Sequence, residues 1–147
     1  MKSSDLNNFI KVPVSLQDSF FKYWVEFLWP IHRLCPSEME ILACFLKERY
    51  ALSKKITDER LLDTVIFTTR VRKKILDECG ITGVFLSTKL GKFKKQGIIK
   101  EGRINPRLIP NVKEENGSFK LLLYFDFKDD NKTSKDTKPD KASGKKA

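Results

Sequence analysis

Two glycines bound the stretch that most restricts what this chain can fold into. Gly80 and Gly97 each close a short segment carrying a single apolar stripe. In the first segment Thr68 or Thr69 can cap a helix reaching Cys79, with Val71, Ile75 and Cys79 on one face. Gly80 supplies the left-handed residue that ends such a helix. Ile81 follows as an expected buried plug, and Thr82 as the cap of a second helix that runs to Gln96. There Leu86, Leu90 and Phe93 recur at i, i+4 and i+7. Two short helices joined by three or four residues must cross steeply, and a glycine is what that turn requires.

Charge concentrates on the same stretch. Residues 1–69 hold nine basic and nine acidic side chains, whereas residues 70–103 hold ten basic against three acidic. Residues 104–127 balance again, and the tail from Lys128 adds seven Lys against four Asp. The net charge of +10 therefore lies in one 34-residue segment, at +7, and in the tail, at +3. Positive charge gathered in this way is the footprint expected for a polyanion.

The run from Val71 to Leu90 resembles a helix-turn-helix, with Ile75, Cys79, Ile81, Leu86 and Leu90 apolar where helices and turn bury them. Leu76 stands where such motifs usually carry a small residue. The continuation from Leu90 to Gly102 resembles the end of the recognition helix and the first wing strand of winged-helix proteins. The run from Phe67 to Pro110 is also similar to small helix-turn-helix proteins of tailed phages. This resemblance implies an α+β fold, a winged helix-turn-helix with a three-helix core and a β-wing, bound to double-stranded DNA and acting in transcription regulation. The alternative it leaves open is a phage assembly, packaging or virion-associated protein that uses the same fold to hold DNA or dock protein.

On that reading the outer face of the second helix divides by chemistry. Gly83, Val84, Ser87 and Thr88 are small enough to approach base edges. Arg70, Arg72, Lys73, Lys89, Lys92, Lys94 and Lys95 are the phosphate candidates, joined by Lys100 and Arg103 on the wing, with Lys113 nearby.

The remaining chain is read as flanks. Residues 1–34 form an expected N-terminal arm with an aromatic helix from about Leu16 to Trp29, ended by Pro30. Its two apolar rows make Phe20, Trp24, Phe27 and Trp29 candidates for core packing or for a homodimer seam. Residues 35–127 form the expected globular domain. In it a helix starts at Pro36, and the run from Leu61 to Phe67 is ambiguous between a short helix and a buried extended segment. Asn116-Gly117 predicts a hairpin turn into a strong strand over Ser118–Phe127. Residues 128–147, rich in Lys, Asp, Ser and Thr, are expected to be disordered.

Other chemistries find no support in the sequence. His32 is the single histidine, read as a surface or cap residue, so histidine triads are excluded. Cys35, Cys44 and Cys79 lack metal spacing and suit buried, reduced thiols of a cytoplasmic protein, in a host or a virion if the origin is phage. Asp58, Glu59 and Asp63 read as solvated carboxylates rather than a cation site. No cofactor, small-molecule site, signal segment or membrane span is indicated, and the chain does not read as an enzyme.

Overall fold

The computed structural model describes residues 10–17, 19–113 and 117–128. They fall into two units that divide after Asn111.

The first unit is α+β. In chain order its described residues form α1 (Phe20–Phe27), α2 (Trp29–His32), α3 (Pro36–Ser53), α4 (Glu59–Val65), α5 (Thr69–Cys79) and α6 (Gly83–Lys95). An antiparallel pair follows, β1 (Ile99–Lys100) with β2 (Arg103–Ile104), and then a 3-10 turn at Pro106–Leu108. The hub is α3. Pro36 opens it where a missing N–H costs nothing, and Cys35 with Glu38 forms a capping box. Ile41, Leu42, Ala43, Phe45 and Leu46 are all buried along it, a face too broad for one neighbour to cover. Helices α1, α4 and α5 pack against it, while α6 lies on α5 and β1. No described helix is long and apolar enough to cross a membrane.

Helix α1 belongs to this core. Phe20, Phe21, Trp24 and Val25 are buried, the Phe21 ring lies 5.6 Å from that of Tyr50, and Trp24 Nε1 donates to the Leu108 carbonyl at 2.8 Å. Of the four residues offered for a dimer seam, Phe20 and Trp24 are thus interior, and only Phe27 and Trp29 are exposed. The expected single helix also divides. It stops at Phe27, and Pro30 sits in the first turn of α2, where proline starts a helix rather than ending one. His32 is not a surface residue. It is buried, with Nδ1 accepting from Leu34 N at 3.0 Å and Nε2 donating to the Val25 carbonyl at 2.6 Å, which stitches α1 to the start of α3.

Asp63 likewise departs from the solvated role expected of it. It is 5% exposed, accepts from Arg49 and forms an ion pair with Arg103 at 3.5 Å, tying α4 to α3 and to β2. Asp58 caps α4 by accepting from Arg60 N, and the ambiguous run is helical through Val65 with Leu62 and Ile66 buried.

The hairpin lies earlier than expected. Ile99 pairs with Ile104 and Lys100 with Arg103, so the turn is the two residues Glu101 and Gly102. Both have positive φ, 56° and 75°, the condition of a type I′ turn. In the second unit, residues 117–128 hold neither helix nor strand, contrary to the strand expected at Ser118–Phe127. A strand requires a ladder partner for its backbone, and the sheet among the described residues consists of β1 and β2 alone. Asn116 and the tail beyond Lys128 lie outside the described residues.

Candidate nucleic-acid interface

The site is built on the turn between α5 and α6. Thr68 precedes α5 in extended conformation, and Val71 and Ile75 face the core. Gly80 takes φ 64° and ψ 39°, and the Ile81 N–H reaches back to the Leu76 carbonyl at 3.2 Å, as in a Schellman ending. Ile81 is half-buried rather than sealed, and so is Leu76. Thr82 then caps α6, its hydroxyl accepting from Phe85 N at 3.1 Å. Leu86, Leu90 and Phe93 are buried beneath the helix.

The four small candidates lie on the exposed start of α6. Gly83, Val84, Ser87 and Thr88 all face solvent, with Val84 79% exposed, and the Thr88 hydroxyl donates to the Val84 carbonyl at 3.0 Å. That bond uses the hydroxyl proton and leaves the oxygen free to accept.

The basic candidates separate into two sets. Lys89 and Lys92 are one helical turn apart, so they share a face of α6. Both ammonium groups bond to Oε2 of Glu38, at 2.9 and 2.7 Å, while Oε1 of the same carboxylate accepts from Cys35 N at 3.1 Å. Glu38 is wholly buried. Burial pushes its carboxyl up, but the bonds from Lys92, Lys89 and Cys35 outweigh that and hold its pKa at about 2. Glu38 in turn pushes the Lys89 ammonium up. Lys89 also lies 5.2 Å from the centre of the Phe85 ring. Arg103 is similarly drawn to Asp63, and Lys74 to Glu48 at 3.0 Å.

Lys94, Lys95 and Lys100 form the second set. They are exposed, with no carboxylate at ion-pair distance among the described residues. They line one open groove of about 570 Å³ between the end of α6 and the hairpin, with Gly97, Glu101 and Gly102 completing its wall. Asn105 Nδ2 donates to the Gly97 carbonyl at 3.1 Å and holds the two sides together. Arg70 and Lys73 are also exposed on α5 without such a partner among the described residues, whereas Arg72 is half-buried with its Nε shielded and unbonded. Lys113 is exposed in the second unit.

Two long-range features escape the sequence. Glu38 carries a capping-box signature that reveals its backbone bond but not its lysines, which lie more than fifty residues away. Cys44 and Cys79, separated by 35 positions, bring their Sγ atoms to 3.3 Å, and burial pushes both thiols up. All three thiols are free, but Cys44 and Cys79 are half-buried and Cys35 is exposed, so the burial expected of them is met only in part. The described residues contain no cluster of three or more metal-ligating side chains. The hairpin turn does carry a signal, Glu101-Gly102 between Ile99 and Ile104, but one less typical of such turns than Asn116-Gly117. No protein-family model, curated protein or solved structure matches this chain.

Proposed function

We propose that this protein binds double-stranded DNA as a winged helix-turn-helix and acts in transcription regulation. Helix α6 is the reading element and the β1–β2 hairpin a short wing. The observation that carries the reading is the groove between them. It gathers three ammonium groups with no ion-pair partner among the described residues, Lys94, Lys95 and Lys100, at the far end of the helix whose start exposes Gly83, Val84, Ser87 and Thr88. Cations that meet no carboxylate among the described residues are available to phosphates, and small exposed side chains permit approach to base edges. Arg70 and Lys73 extend the phosphate set. Lys89, Lys92 and Arg103 contribute less, because each is already held by an internal carboxylate.

The test is a titration of labelled duplex at several salt concentrations. Replacing Lys94, Lys95 and Lys100 together by Ala should weaken binding to every duplex and lower the log–log salt slope by about 2.7, near 0.9 for each phosphate no longer neutralised. An unchanged slope removes the groove from the interface, and no duplex binding by the wild type ends the reading. Selection from random duplexes should yield a motif that shifts on replacement of Ser87 or Thr88. A pool that enriches nothing would leave DNA affinity but remove the regulator.

A further inference from the structure

The second unit presents a run of large apolar side chains to solvent. Leu122, Tyr124 and Phe125 are mostly exposed, and Leu121 and Leu123 are about half exposed. A single chain gains nothing by leaving such a patch open, and patches of this kind mark association surfaces. The order of residues says what fits. If a second copy runs antiparallel with Leu123 opposite Leu123, then Leu122 meets Tyr124 and Leu121 meets Phe125. The same register sets Lys120 opposite Asp126, twice, because the arrangement is two-fold symmetric. A parallel in-register pairing would instead place Lys120 beside Lys120 and Asp126 beside Asp126, which is repulsive.

We propose that residues 120–126 are a self-complementary strand through which two copies of this chain dimerise. Pairing supplies the backbone ladder that one copy lacks, and it explains why a sequence so strongly β in character holds no strand in the single chain. The proposal does not rest on Phe27 and Trp29, the exposed pair of the four seam candidates, nor on DNA binding. A two-stranded ribbon is marginal by itself, so the association is weak and concentration-dependent.

The full chain is followed by sedimentation or light scattering across concentration, with far-UV circular dichroism to verify the helices. The wild type should pass from monomer to dimer. Lys120→Asp places Asp opposite Asp126 at two positions, and Asp126→Lys places Lys opposite Lys120 at two. Each variant alone should raise the dimer dissociation constant about tenfold or more. Mixed together, the two variants should recover a dimer, since every charge then meets its opposite. A wild type still monomeric at about 1 mM overturns the proposal, as does a ladder of larger species. So does a dimer that either variant leaves intact, or a mixture of the two that stays monomeric.

Discussion

Lys92 and Lys94 stand two residues apart on α6 and answer to different partners. Lys92, with Lys89 one turn before it, reaches from the surface to a buried carboxylate. Lys94, with Lys95 and Lys100, borders an open groove where no carboxylate holds it. The same residue type on the same helix thus serves the fold at one place and faces an open groove at the next. A count of positive charge along a segment overstates its electrostatic reach. Part of the +7 in residues 70–103 is spent on Glu38, Glu48 and Asp63, buried acids drawn from the part of the chain that is neutral by composition. A phosphate that recruits Lys89 or Lys92 must leave Glu38 buried and undercompensated, which is unfavourable.

The contrast is broken most forcefully at the inner pair. Replacing Lys89 and Lys92 together by Met strands the Glu38 carboxylate, and stability to urea should fall by about 3–5 kcal/mol. Adding Glu38→Gln should restore most of that loss. The groove lysines replaced by Ala should instead leave stability within about 0.5 kcal/mol while duplex affinity drops. Equal losses of stability from both sets would erase the distinction.

Acid should act on the inner pair next most strongly. The pKa of Glu38 is lowered in the folded chain from the ordinary 4.5 to about 2. Its contribution is therefore fully present above pH 4.5 and is lost as pH falls from there toward 2. Across that window the wild type should lose on the order of 3 kcal/mol more than Glu38→Gln. Parallel curves for the two proteins would mean that the lysines do not hold the carboxylate in solution.

The smallest effect sharpens the outer set. Glu101 sits in the left-handed region at φ 56° and is, among the described residues, the one carboxylate bordering the groove. Glu101→Asn should stabilise the chain by about 0.5–1 kcal/mol, because Asn suits this turn position better. It should also tighten duplex binding slightly by removing a negative charge from the groove wall. Weaker binding would assign Glu101 a contact of its own.

What can be read from the sequence is what depends on neighbours along the chain. Thr82, Gly80 and the Leu86–Leu90–Phe93 stripe specify caps, a turn and a helix face within a few residues, and α5 and α6 lie where those signals place them. The small exposed residues at the start of α6 follow from the same periodicity. What cannot be read depends on residues far away. Nothing near Lys89 announces Glu38, and nothing near Asp63 announces both Arg49 and Arg103. The segment Ser118–Phe127 has strand composition, but composition supplies no ladder partner. Pro30 fails as a stop signal for a related reason: proline breaks a helix interior and begins a new one equally well.

The Glu38 clamp also imposes an order on sequence change. Losing Lys89 or Lys92 first passes through an intermediate whose interior acid keeps one ammonium partner in place of two. Losing the acid first is milder, since both lysines already reach the surface and can take up water. A single substitution at position 38 therefore releases two cations on α6 at once. The protein's surface potential can be retuned by mutation from a residue that is itself wholly buried.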